Sequence, residues 1–272
     1  MDQQTEPVPE EPKVILAEDL LNLIAYNRFV LAQDLAEALS ITFEQNDEGT
    51  RKLSQAVKSD EMRTFLRTPT VSSTLAINAN FEEPSTLSPL SFLDSQVAQI
   101  LFSSNDSILL IYFCSLHAES WDPRASATGL IASLAGQLLS YPNLIFDLSF
   151  IDSEKEQLLE QDDFCVLVQL FLCLLHQLPS DVRIFCIIDE ISVYETLERQ
   201  EDTKKLLATL LLEVIGKQRE YNLPTFKLLL TDGCSSGVGT IVGIENVLEL
   251  NEDGEAEDEE VSEVVGRVFE EL

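Results

Sequence analysis

The amino-acid sequence predicts an α/β protein, a three-layer α/β/α sandwich on a mainly parallel five-stranded sheet with an N-terminal helical extension. Three observations carry this expectation. From residue 70 onward, short runs of Ile, Leu, Val and Phe alternate with longer segments of helical periodicity. The short runs are apolar nearly throughout rather than at every second position, the pattern of strands covered on both faces. Before residue 70 the periodicity is helical only. Strand–helix alternation of this kind places helices on the faces of a parallel sheet through right-handed crossovers.

Residues 1–12 form an acidic, proline-rich tail, expected to be disordered, without the basic start and apolar centre of a signal or transit peptide. Residues 13–69 read as the helical extension, with one or two helices between Val14 and Leu39 and another from Arg51 to Leu66. TFEQNDEGT is a polar break between them. The core spans residues 70–250. Its expected strands are STLAIN (73–78), SILLIYFC (107–114), RIFCIID (183–189), FKLLLTD (226–232) and NVLEL (246–250). The strand at 183–189 is expected at the centre, with helices 125–140 and 163–178 on the sheet's faces. The remaining helices are expected at Ser91–Leu101 and Thr203–Lys217. Residues 251–272 read as an acidic tail containing a short helix, SEVVGRVFEEL.

Charge narrows the function. Among 272 residues, 48 acidic side chains against 17 basic ones leave a net charge of −31. Such a surface repels phosphate backbones and anionic headgroups, which argues against nucleic-acid and membrane-surface roles and leaves basic proteins or metal cations as the natural electrostatic partners. The longest apolar stretch, Phe164 to Leu175, is too short to cross a bilayer and reads as a buried helix. Five cysteines, none spaced CxxC and most inside apolar runs, point to a reducing, cytoplasmic setting without a disulfide framework or zinc site.

The segment RIFCIIDEISVYE, residues 183 to 195, ends an apolar strand in Asp189 and Glu190. In a P-loop NTPase such a pair orients magnesium and polarises the attacking water. The chemistry also requires a glycine loop whose N–H groups cradle phosphate, with a lysine and a magnesium-binding hydroxyl. Here the loop would follow the strand at 73–78, and the residues aligned with GxxxxGK[ST] are PSTLSPLS. Pro84 and Pro89 stand at the glycines, Leu90 at the lysine, and only Ser91 fits. Proline has no N–H and holds φ near −65°, so it can neither donate to phosphate nor adopt the required turn. Ser88 and Pro89 instead read as the N-cap and first residue of a helix. Asp189, Glu190, Ser91 and Thr231 are therefore expected together at one crevice on the sheet's C-terminal edge, as a vestigial site. A magnesium ion there would lie between Asp189 and Ser91.

SILLIYFCSLHAESWDPRASATGLIASLAGQLL, FCVLVQLFLCLLHQLPSDVRIFCIIDEISVYE and FKLLLTD resemble the NACHT-type (STAND) P-loop domains of filamentous fungi. More narrowly they resemble a set of fungal proteins with an eroded phosphate loop. Ala79, Asn80 and SPLSF match that set's turn and following stretch, and Phe113, Cys114 and His117 match its Phe-Cys-x-x-His segment. The resemblance covers about residues 60–235. It implies a phosphate-loop strand at 73–78, a Walker B strand at 183–190, a sensor strand at 226–232, and a role in signalling or assembly. Because the chain departs from the pattern at the phosphate lysine, the expectation is a non-hydrolysing protein-interaction module without a cofactor. The alternative is a nucleotide-binding NTPase with a divergent loop, holding ATP and magnesium.

Other motifs are less specific. GCSSGVG (233–239) is glycine-rich and follows a strand, but lacks GxGxxG spacing and reads as a loop. Cys234 or Ser235 with His117 or His176 has the atoms of a hydrolase but no GxSxG elbow. Cys114 and His117 are too few for a metal site. Trp121, Asp122, Pro123 and Arg124 read as a turn before a helix.

Overall fold

The computed structural model describes residues 15–42, 48–68, 70–81, 87–103, 107–234, 244 and 246–251. The N-terminal tail and the C-terminal tail with its short helix lie outside them, as does Pro84. In chain order the elements are α1 (Ala17–Leu23), α2 (Arg28–Leu39), α3 (Glu48–Lys58), α4 (Asp60–Arg67), β1 (Ser73–Asn78), α5 (Pro89–Ser103) and β2 (Ser107–Phe113). There follow α6 (Ala127–Leu139), α7 (Ser153–Glu160), α8 (Phe164–His176), β3 (Arg183–Asp189), α9 (Gln200–Thr209), α10 (Gln218–Tyr221), β4 (Thr225–Asp232) and β5 (Val247–Glu249).

The five strands pair in parallel in the order β2-β3-β4-β1-β5, flanked by helices on both faces, as an α/β/α sandwich. Alternate residues of each strand feed opposite faces. Ile184, Cys186 and Ile188 of β3 and Phe226, Leu228 and Leu230 of β4 pack with α6, α8 and α9. Phe185, Ile187, Leu229, Leu75 and Ile77 pack with α5 on the other side. The strand at 183–189 is not central, contrary to the sequence expectation: β4 is, and all eight of its residues are buried. Apolar continuity marks both strands as covered, but it does not rank them, because position in the sheet follows from the crossovers. Helices α6 and α8 also share a single face instead of dividing the two.

The N-terminal helices pack onto this sheet domain. Leu20 of α1 and Ile24 just after it join the α6–α8 face, whereas Ala38, Leu53, Ala56, Met62 and Phe65 of α2–α4 join the α5 face. A Cβ on Gly136 would lie 2.2 Å from Cγ of Tyr26, so the chain after α1 can press against α6 only because that position is glycine. The expected helix from Arg51 to Leu66 is two helices. Ser59, extended at ψ 146°, breaks it, and its hydroxyl caps α4 by accepting from the Met62 N–H at 3.1 Å. Serine followed by Asp60 and Glu61 is an N-cap signature inside a periodic run. The segment expected as Thr203–Lys217 is α9 followed by a wider π turn, Leu210–Ile215, closed by the Gly216 N–H on the Leu211 carbonyl at 2.8 Å. Helix α7 is additional to the helices that the sequence predicts, and Asp152 caps it by accepting from the Lys155 N–H at 2.9 Å. Among the described residues no helix is long and apolar enough to cross a membrane.

Candidate functional site

Parallel pairing sets Phe113, Asp189 and Thr231 side by side at the C-terminal edge, with Asn78 opposite Asp232. Helix α5 starts above them. Its Ser88 cap accepts from the Leu90 N–H at 3.1 Å, and its own N–H donates to Ser91 Oγ at 3.2 Å, so the two serines cap reciprocally. Ser91, fully buried, then donates from Oγ to Asp189 Oδ2 at 2.8 Å. Thr231 Oγ1 lies 3.1 Å from Asp189 Oδ1. Asp189, Ser91 and Thr231 are thus brought together as expected. Glu190 joins them at the same edge: its φ is 52°, in the left-handed region, its N–H donates to the Thr231 carbonyl at 2.8 Å, and both carboxylate oxygens accept from the Gly233 N–H at 3.1 Å.

Two further carboxyls share the crevice. Thr231 Oγ1 also makes a short hydrogen bond to Asp94 Oδ2, and Ser192 bonds Asp232 through its hydroxyl and, at 3.0 Å, through its N–H. Thr231 has one hydroxyl proton but touches two carboxyls, so one of the carboxyls must itself donate. Burial, opposed by the Thr231 bond and reinforced by the Glu190 charge, raises the Asp94 pKa to about 8. The extra proton therefore belongs to the Asp94–Asp189 pair that shares the Thr231 hydroxyl. Burial first, then the Glu190 and Asp94 charges, pushes Asp189 well above the carboxylate range. Asp232 is likewise raised to about 8 by burial, and Glu190 is raised by burial. Crowded acids in a low-dielectric crevice hold protons because adjacent charges cannot all be sustained there.

A magnesium–nucleotide complex fits this donor set poorly. The ion needs deprotonated oxygens, whereas burial raises Asp94 and Asp189 toward their protonated forms, and Ser91 accepts from Ser88 with one of its two lone pairs. Among the described residues no group of three or more His, Cys, Asp or Glu side chains is arranged to hold a metal ion. Two backbone donors beside the site, among the described residues, are engaged as well. The Ala79 and Phe81 N–H groups donate at 2.8 Å to the carbonyls of Asp232 and Gly233, extending the β1–β4 pairing past the strand ends. Gly233 is wedged in place: a Cβ there would lie 2.7 Å from Glu190 Oε1 and 2.9 Å from Ser88 Cβ.

One basic residue does approach the loop, from outside the segment in which sequence order suggested looking. Lys52 of α3 is 2% exposed, donates to the Asn80 carbonyl at 3.0 Å and pairs with Glu48. Its ammonium lies 4.9 Å from the Phe81 ring centroid. The lysine is held by a carbonyl, a carboxylate and an aromatic face. Asp94 could have been suspected from its spacing, three residues after Ser91 on one helix face. Lys52 carried no such signal.

The remaining sequence candidates are placed elsewhere. His117 is buried between Asp122 Oδ2 at 2.8 Å and Asp34 Oδ2 at 3.1 Å. With a carboxylate on each ring nitrogen it is held as the cation, and its pKa is raised: burial lowers it, but the Asp34 and Asp122 bonds together outweigh burial. Neither nitrogen is left as a base or, with Cys114, as a metal ligand. Arg124 forks onto the same Asp122 through Nε at 3.1 Å and a terminal nitrogen at 3.3 Å. Burial raises the Cys234 thiol pKa, the opposite of an activated nucleophile, and Ser235 lies outside the described residues. His176 sits exposed at the end of α8.

Comparison with protein-family models, with curated proteins and with solved structures finds no match for this chain.

Proposed function

We propose that this chain is a non-hydrolysing, NACHT/STAND-like protein of P-loop type that acts through protein contacts, as an interaction, signalling or assembly module. The observation that carries the reading is Leu90, which stands where a phosphate-loop lysine would and is fully buried in the core on the α5 face. It is supported by the three strands that the resemblance names, β1, β3 and β4, lying next to one another. Protonated carboxyls around Asp189 and the Ala79 and Phe81 donors engaged with β4 add to it. In this reading the nucleotide crevice has become a structural joint between α5 and the sheet. A net charge of −31 fits a basic protein partner.

A calorimetric titration of magnesium–ATP at low salt tests the reading. Loss of the loop lysine and at least two donors weakens a phosphate site by ~5 kcal/mol, taking a micromolar affinity to about 10 mM. The expected result is no saturation in the micromolar range. The second reading, a nucleotide-binding NTPase with a divergent loop, is favoured by one observation, the presence of Lys52 at Asn80. It requires saturable binding near roughly 10 μM that disappears in both Lys52→Ala and the Asp189→Ala, Glu190→Ala pair.

A further inference from the structure

A groove of 630 Å³ opens on the outer side of the sandwich, where α7 and the segment before it face α8. Phe150, Leu170 and Leu172 are among the residues that make its wall, and the half-buried Cys173 thiol opens into it. The volume lies within the range of sites that enclose a small molecule, ~300–1,000 Å³, and the lining is of the same kind, mainly apolar with few polar groups.

Its charge distinguishes it from the rest of the molecule. The chain carries 48 acidic residues against 17 basic ones, yet the ionisable side chains lining the groove include Lys155 and His176 and, among the described residues, no aspartate or glutamate. The Lys155 ammonium is already positioned, donating to the Phe150 carbonyl at 2.6 Å and forming an exposed ion pair at 3.6 Å with Asp152, which lies outside the lining. An aliphatic wall with bases and no acid complements a ligand with an apolar tail and a single negative head. A cationic or uncharged amphiphile would have an equal tail but no counter-charge.

We propose that the α7–α8 groove binds a free aliphatic carboxylate, its tail along Leu170 and Leu172 and its head at Lys155 and His176. This site is independent of the crevice at Asp189, and its test does not depend on the nucleotide reading.

The experiment is calorimetric titration of the full chain with dodecanoate, decanoate and dodecyltrimethylammonium, all below their micelle concentrations, combined with iodoacetamide footprinting of Cys173. Exposed Cys165, on the same helix but outside the lining, is the internal reference. One equivalent of dodecanoate binds saturably, and decanoate, shorter by two methylenes, binds about fifteenfold more weakly. The trimethylammonium ion binds at least about tenfold more weakly than dodecanoate, a gap that Lys155→Gln narrows. Dodecanoate slows alkylation of Cys173 relative to Cys165, and Leu172→Glu abolishes both binding and protection. Equal binding of anion and cation, unprotected Cys173, or the absence of saturable binding overturns the proposal. If Leu172→Glu does not fold, the head-group comparison, the Lys155→Gln variant and the footprint decide the question alone.

Discussion

Ser91 Oγ donates to Asp189 Oδ2 at 2.8 Å, fastening the first turn of α5 to the end of β3 with both groups fully buried. The hydroxyl also closes the reciprocal cap with Ser88. Replacing Ser91 by alanine removes both bonds and leaves Asp189 with an unsatisfied oxygen. A buried polar group stripped of its partner costs ~1–3 kcal/mol, so Ser91→Ala is expected to lower the urea midpoint accordingly. An unchanged midpoint would mean that the bond does not join α5 to the sheet.

The crowded carboxyls make the fold prefer acid. Asp94 and Asp232 have pKa values raised to about 8 in the folded chain, against an ordinary aspartate value of 3.8. The folded state therefore binds more protons than the unfolded state between those values. This contribution is fully present below the unfolded pKa and is lost as pH rises through the folded one. Stability is expected to fall as pH rises from ~4 to ~8. Urea titrations across that interval measure it. Asp94→Asn supplies a neutral side chain at every pH and should flatten the slope. A variant as pH-dependent as the parent would remove Asp94 from the explanation.

His117 clasps α2 to the core through Asp34 while Asp122 holds its other nitrogen. Its raised pKa gives a second contribution of the same sign, lost as pH rises above the ordinary histidine range. Arg124, bonded to Asp122, is the neighbouring cation that opposes it. Asp34→Asn is expected to increase hydrogen exchange in Arg28–Leu39 at pH 6, and to do so much less at alkaline pH, where the parent has already lost the clasp. Equal exchange in parent and variant at pH 6 would contradict the ion pair.

Gly233 is the tightest point of the crevice. An alanine Cβ would press on Glu190 and on the Ser88 cap at 2.7 and 2.9 Å. Relief requires moving either the α5 cap or the Glu190 carboxylate, and overpacking of this kind costs ~1–3 kcal/mol. The expected result for Gly233→Ala is a lower thermal midpoint. In the double variant Gly233→Ala, Glu190→Ala, which removes the nearer obstruction, much of the loss is recovered.

Local chemistry wrote much of this molecule into its sequence. The bounds of β1 and β3, the Ser88–Pro89 start of α5 and the parallel sheet follow from continuous apolar runs, a cap and a helix-compatible proline, each a property of adjacent residues. The meeting of Ser91, Asp189 and Thr231 was also legible, because parallel strands align their C-terminal ends wherever they sit in the sheet. Tertiary structure alone made β4 the central strand, since the order of strands depends on which crossover spans which neighbour. It alone brought Lys52 against Asn80, Asp34 against His117, and Asp94 against Thr231. These partners are 28, 83 and 137 residues apart in the chain, and no periodicity extends that far. The protonation of the crevice belongs to the same class. A carboxyl in a sequence is an acid of ordinary strength, and only burial beside other carboxyls raises Asp94 and Asp189 until the pair holds a proton.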